Sequence, residues 1–344
     1  MSLIFDIRLR GKLLVTALLA LITACGNEPA RVSRTLLGTV VTITVADEPA
    51  GRAGDFNAAF NEIEYVQRSF SIYDPASEIY RVNKSAYEHP CRVSGSLFEL
   101  LKASVEVSEK TGGAFDITWA SAGRIWDFSN PERFTPPDDK TVKSLLPLIS
   151  YKNIRLDDKA GTVRFLKPGV KIGLGGVAKG YAVKRAVGAL KSRGVKGAIV
   201  ACAGDIQVIG DNRGRPWRAG IQDPRGKSVI ATFDMRDGEA VSTSGDYERF
   251  RIVDGKRYHH IINPATGYPA DSGLISVTVF SRDPVKADAY ATAFFVSGFD
   301  KTGLILSSAE DISVVLVTSD MKVYASVRLR ERLAFREDIK AVYF

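Results

Sequence analysis

The chain has 344 residues, 45% of them hydrophobic and 25% charged, the composition of an ordinary globular protein with room for a substantial core. Its net charge of +8 is mild: Asp6 against Arg8, Arg10 and Lys12 leaves +2 in the first 24 residues and +6 in the rest. No run of five or more Lys/Arg occurs, so no nucleic-acid-binding patch is indicated, and Cys91 and Cys202 make neither a disulfide framework nor a zinc motif.

The N-terminus carries an address. A basic start precedes the apolar run Leu13 to Ile22, which is shorter than the roughly 20 apolar residues a membrane span needs and is the size of a signal peptide. Ile22-Thr23-Ala24-Cys25 resembles a bacterial lipobox. It predicts a lipoprotein signal peptide over 1–24, lipidation (palmitate) of Cys25, and a membrane-anchored chain facing the periplasm. The alternative is plain cleavage near Ala24. Residues 25–35 read as a tether and 36–344 as one domain, with no linker that would divide it.

Leu36–Ala46 alternates as a strand, and Phe56, Ala59, Phe60, Ile63 and Val66 predict a helix over Asp55–Ser69. Asp74-Pro75 marks a turn, and Ser77-Glu78 the start of a short helix. Tyr73, just before that turn, reads as a core or rim aromatic or as a stacking partner for a ring. A helix over Ser94–Lys110 ends at Gly112-Gly113, and GGAFDIT turns with Phe115 and Asp116. A Pro-rich connector, Asn130 to Asp139, precedes short strands at Tyr151–Leu156 and Thr162–Phe165.

KIGLGGVAKGYAVKRAV, from Lys171 to Val187, reads as a strand (Val170–Leu174), a glycine turn and a helix from Ala178. That geometry aims helix N–H groups at an anion, and Lys179 adds positive charge. GLGGVA fits the loose G-x-G-x-x-A pattern, but Arg193 and Gly194 stand where the ribose-binding acid belongs, and a P-loop is excluded because Ala178 precedes the lysine. A tight turn without a ligand is the other reading of this stretch alone.

Strands follow at Gly197–Cys202, Trp217–Gln222, Val229–Asp234, Ala240–Ser242 and Leu274–Phe280, with Asp205 at a strand end. STSGDYERF and YHHIINPATGYP are rich in hydroxyls and turn residues. His259 or His260 there is a general base near neutral pH or a structural histidine. Asp283-Pro284 starts a helix running to Ser297 and closed by Gly298. The last strands are Ile312–Thr318 and Lys322–Ser326. Without regular alternation of strands and helices, the fold class is α+β, with mixed or antiparallel sheets flanked by helices. On the 284–297 helix, Asp288 and Thr292 share one face. With a backbone carbonyl from elsewhere they would form a hard oxygen site of the Mg²⁺ kind; alternatively Asp288 serves the helix dipole or an ion pair.

Together, LLGTVVTI, FSIYDPASEI, GAFDIT, GLGGVAKGYAV, AGDI, STSGDYERF, HHIINPATGYP and ADAYATAFF resemble, in order, the ApbE family of FAD:protein FMN transferases. The resemblance implies Mg²⁺-dependent cleavage of FAD, transfer of FMN to a Thr or Ser of an acceptor flavoprotein subunit of a membrane or exported redox system, and release of AMP. It implies a cleft in which Gly176, Asp288 and Thr292 hold the metal. Leu37, Tyr73, Ala114, Phe115, Asp116, Gly173, Lys179, Asp205 and Ile262 would line the FAD site, with His260 as the catalytic base. The chain departs from the family at Gly173, where Asp is common, and at Leu37, Ala203 and Asn263; the first bears on FAD affinity. Alternative readings are an FAD pyrophosphatase giving FMN and AMP, a non-catalytic lipid-anchored FAD-binding protein, and a dinucleotide-dependent oxidoreductase.

Overall fold

Strand Ser313–Thr318 shows how the chain is layered. Val314 and Leu316 face one hydrophobic cluster, while Val315 and Val317 face another. A strand that is apolar on both faces belongs at the centre of a sheet covered on both sides. The computed structural model describes residues 29–47, 52–123, 125–128, 134–309 and 311–344. The expected signal peptide, Cys25 and residues 130–133 of the Pro-rich connector lie outside them.

In chain order the elements are β1 (Ala30–Leu36), β2 (Thr39–Val45), α1 (Ala53–Ser69), α2 (Glu78–Ser85), β3 (Cys91–Arg92), α3 (Gly95–Lys110), α4 (Asp139–Leu145), β4 (Ile154–Asp157), β5 (Thr162–Phe165) and α5 (Ala178–Ser192). Then come β6 (Ala198–Cys202), β7 (Asp205–Ile209), β8 (Trp217–Gln222), β9 (Val229–Met235), β10 (Ala240–Gly245), β11 (Phe250–Val253), β12 (Lys256–His259) and β13 (Leu274–Ser281). The remainder is α6 (Pro284–Leu306), β14 (Ser313–Thr318), β15 (Val323–Ala325), β16 (Leu333–Phe335) and β17 (Ala341–Tyr343).

A nine-stranded sheet runs β1-β2-β6-β7-β10-β13-β14-β15-β17, antiparallel except for the β15–β17 pair. Helices α1, α3, α5 and α6 contribute to the hydrophobic cluster on one face. The sheet β16-β9-β8 supplies Trp217, Ile221, Ile230 and Phe233 to the cluster on the other. The α+β class read from the sequence is thus the architecture observed. Every residue of β13 is buried, as its place between the two layers requires.

Several local readings change. The strand expected over Leu36–Ala46 is two strands, because Leu37 and Gly38 both take left-handed backbone (φ 53° and 71°) and turn the chain back on itself. Their partner β1 occupies residues read as tether; as an edge strand it buries only Leu36 fully, so it carries little apolar signal. The strand expected from Tyr151 starts at Ile154, after a short 3₁₀ turn. Val170–Leu174 is not a strand. Its polar groups bond to Asn83, whose amide both donates to Ile172 O and accepts from Ile172 N at 2.8 Å, and to Ser121 and Ile117. Gly298 (φ 77°) breaks α6 as expected, but the helix resumes beyond it to Leu306. The turn-rich segment after Ser242 continues β10 to Gly245 and then forms the β11–β12 hairpin.

Candidate functional site

Two helices meet at their starts. Gly180, in the first turn of α5, lies against the first turns of α6: a Cβ there would sit 2.2 Å from Pro284 O and 2.9 Å from the Asp288 Cβ, so only glycine permits the approach. The approach has a chemical result. Val177, at the N-cap of α5, supplies no capping side chain, and Asp288 of α6 takes that role, its Oδ2 accepting from Gly180 N at 2.9 Å.

Lys179 Nζ stands 3.3 Å from Asp288 Oδ1 and 2.6 Å from Asp205 Oδ2, at the start of β7. Both carboxylates are buried; Lys179 is half-buried. Among the described residues no donor besides the Lys179 ammonium satisfies the Asp205 carboxylate, so the lysine is its close counter-charge. Two carboxylates against one ammonium leave one negative charge uncompensated. Burial, reinforced by Asp205, pushes Asp288 up to about 6. Burial alone would lower Lys179, but the two carboxylates outweigh it and raise the ammonium. Burial and the neighbouring Asp205 push Cys202 up to about 12, so its thiol is inert.

One turn along α6, Thr292 Oγ1 lies 3.3 Å from Ser244 Oγ on β10. A Cβ on Gly176 would sit 3.6 Å from Thr292 Oγ1 and 3.0 Å from the Phe115 ring, so the glycine turn runs directly past Thr292. Gly173 is packed with equal economy, its absent Cβ 2.9 Å from that of Ala120 and 3.9 Å from Ile72, the neighbour of Tyr73. Ala114 is half-buried and Phe115 buried. Asp116 is turned inward: Oδ1 accepts from Thr118 N and Oγ1, and Oδ2 from Tyr151 N at 2.6 Å. Burial raises its pKa against those bonds.

The histidines divide their tasks. His259 is buried, donates from Nε2 to Ala270 O at 2.9 Å and accepts at Nδ1 from Ile261 N. It sits edge-on to Phe295 of α6 and is a packed, neutral side chain. His260 is half-buried. Its Nδ1 lies 3.2 Å from Arg249 O, which fixes the proton there and leaves Nε2 with a lone pair. Burial, aided by the Arg249 and Lys179 charges, lowers it to about 4. The Leu37–Gly38 turn lies beside the Arg249 side chain. Ile262 is buried and bridged to Pro269.

The structure therefore brings Gly176, Phe115, Lys179, Asp205, Asp288 and Thr292 into direct or near contact, with Gly173 on the same loop as Gly176 and Tyr73 on a separate one that reaches Gly173 through Ile72. Leu37, Ile262 and His260 belong to neighbouring turns and share no hydrogen bond with that cluster. Ser244, which the sequence offered only as one hydroxyl among several, is the partner of Thr292. The donors fit a hard divalent cation: a carboxylate and a hydroxyl beside a glycine turn, with an unneutralised charge next to them. No group of three or more His, Cys, Asp or Glu that could hold a metal occurs among the described residues. Such a cation would accordingly rely on neutral oxygens and on a ligand's own phosphates.

Comparison with known proteins gives one consistent answer. The ApbE family model matches residues 37–316. FAD:protein FMN transferase of Treponema pallidum is 30% identical over 87% of this chain and 87% of its own. That of Klebsiella pneumoniae is 28% identical over 88% of this chain and 93% of its own. Among solved structures, the ApbE protein of Thermotoga maritima is 35% identical, covering 90% of this chain and all of its own, with a TM-score of 0.82. The flavin transferase ApbE of Vibrio cholerae is 27% identical, covering 89% of this chain and 99% of its own, with a TM-score of 0.79.

Proposed function

The chain belongs to the ApbE family, and we propose that it is an Mg²⁺-dependent FAD:protein FMN transferase that places FMN on a Thr or Ser of an acceptor flavoprotein. The observation that carries this is the buried Lys179–Asp205–Asp288 cluster at the start of α5, beside Thr292 and the Gly175-Gly176 turn. It supplies a fixed cation and an under-neutralised carboxylate where a pyrophosphate and its metal would lie.

Asp288, Thr292 and the Gly176 carbonyl would hold Mg²⁺, which when bound neutralises charge on phosphoryl oxygens. Lys179 and the glycine turn hold the FAD phosphates. The acceptor hydroxyl oxygen forms a bond to the phosphorus of the FMN half of FAD, and the bond from that phosphorus to the oxygen of AMP breaks. The acceptor proton passes to Nε2 of His260, the ring nitrogen that carries the lone pair, and AMP leaves. Tyr73, 81% exposed, offers an open ring face for stacking on the flavin nucleotide.

Covalent, fluorescent flavin on a purified acceptor domain after denaturation tests this directly. The reaction should need FAD and Mg²⁺ and should vanish when the acceptor Thr or Ser is replaced. No flavin on any acceptor, with FMN appearing free in solution, would indicate hydrolysis instead. Tyr73→Ala should weaken FAD binding by about tenfold, the scale of a lost aromatic stack, with little change in the transfer rate at saturating FAD. An unchanged dissociation constant, read by flavin fluorescence, would remove Tyr73 from the site.

The lipobox supports a lipoprotein attached through Cys25 at the periplasmic face of the cell envelope, placing the enzyme beside acceptor subunits of membrane or exported redox systems. No helix among the described residues is long and apolar enough to cross a membrane. Labelling with palmitate, present in the wild type and lost in Cys25→Ser, is the expected result; equal labelling of both would refute the anchor.

A further inference from the structure

Asp205 is 1% exposed, so it cannot offer much surface to a ligand. Its Oδ2 lies 2.6 Å from Lys179 Nζ, closer than the 3.3 Å from that nitrogen to Asp288. Among the described residues no other ion pair compensates its charge. Cys202 stands opposite it in the β6–β7 ladder, and Ser242, opposite it on β10, is itself buried with a hydroxyl that has no partner among the described residues. Lys179 is thus held mainly by Asp205 and shared with Asp288.

The charge count then decides what the site attracts. Without a cation it is net negative by one charge, which opposes the doubly charged pyrophosphate of FAD. A divalent cation at Asp288 turns it net positive by one. The two carboxylates are buried and the lysine half-buried, so salt screens these charges less than it screens surface ones. We propose that Asp205, acting through Lys179 as a positioning residue, couples the two ligands of this site: it strengthens the hold on a divalent cation and weakens the hold on FAD when no cation is present. This rests on the flavin-transferase reading above. Its consequence is that FAD settles productively only after, or together with, the metal, so that the site does not fill with unreactive FAD.

The test is a pair of opposite shifts in the full chain carrying Asp205→Asn. Mg²⁺ alone, titrated by calorimetry at pH 8, should bind about tenfold more weakly, and FAD in EDTA, followed by flavin fluorescence, about tenfold more tightly, within the usual range of coupling between sites. A variant damaged merely in structure would lose affinity for both, and that result overturns the inference, as does no change in either. Lys179→Met provides the mirror image should the first variant fail to fold: Mg²⁺ should bind about tenfold more tightly and FAD more weakly. Unchanged or weaker Mg²⁺ binding there overturns the inference as well. Failure of the wild type to bind FAD even with Mg²⁺ would be a different result, bringing down the flavin-transferase reading and the inference with it.

Discussion

Asp288→Asn should fold normally and transfer no measurable flavin, a loss of at least about 10³-fold, since the variant forfeits the several kcal/mol a bound metal contributes to charge stabilisation. The choice of asparagine matters. Its side-chain oxygen can still accept from Gly180 N, so the start of α5 keeps its cap. Lys179 keeps Asp205 as a partner at 2.6 Å. The variant also removes the one uncompensated charge of the cluster, so its urea midpoint in EDTA should equal or exceed that of the wild type, because an unpaired buried charge opposes folding. Added Mg²⁺ should raise the wild-type midpoint and leave the variant's unmoved. A variant that still transfers flavin would remove Asp288 from the metal site, and a large drop in stability would show that its role is the ion pair with Lys179.

His260→Ala should slow transfer by about 10²–10⁴-fold, the usual contribution of a general base, with FAD binding almost intact. The ring is half-buried and, among the described residues, makes a single hydrogen bond through Nδ1, so little stability is at stake. The pH profile identifies the group. A base works only while its lone pair is free, and protonation removes it as pH falls through the pKa in the folded enzyme. Because burial lowers His260 to about 4, its acid limb should lie near pH 4 instead of the histidine range near 6.5. Transfer should therefore hold from pH 8 down to about 5.5 where FAD and Mg²⁺ are saturating. An acid limb near 6.5 that disappears in His260→Ala would show a solvated imidazole, and an unchanged rate in the variant would place the base elsewhere. His259→Ala should differ in kind, costing stability first, because that ring is buried against Phe295 with both nitrogens engaged.

What could be read in the sequence was local. Ser77 and Asp283 cap α2 and α6 as expected, since a short polar side chain at the head of a helical pattern leaves few alternatives. Strand β13 and helix α5 followed from apolar runs alone. The failures came where partners lie far away in sequence. Val170–Leu174 has the composition of a strand, yet the side chains of Asn83, 89 residues off, and Ser121, 50 residues off, supply its hydrogen bonds. Strand β1 lies at a sheet edge and shows one fully buried position in seven residues.

The site divides in the same way. Asp288 and Thr292 were legible because helical spacing places them on one face, and the lysine after a glycine turn was legible as a cation. That Asp205 grips the lysine, that Asp288 caps α5 from 108 residues away, and that Ser244 meets Thr292 are tertiary facts with no local signature. Glycine at 180 is the one sequence hint of the helix approach, and it is read correctly only once Pro284 O is known to lie against it. Gly173 gains a physical meaning too. With Ala120 packed against its position, a carboxylate there would need that neighbour to move.

The most direct measurement is to incubate the chain with FAD and a flavoprotein acceptor domain, in Mg²⁺ or in EDTA, and to follow AMP by chromatography against covalent flavin on the acceptor. AMP and acceptor-bound flavin in equal amounts, with Mg²⁺ only, is the predicted result. Equal product in EDTA, or tight FAD binding with neither AMP nor covalent flavin in Mg²⁺, would contradict a metal-dependent flavin transferase.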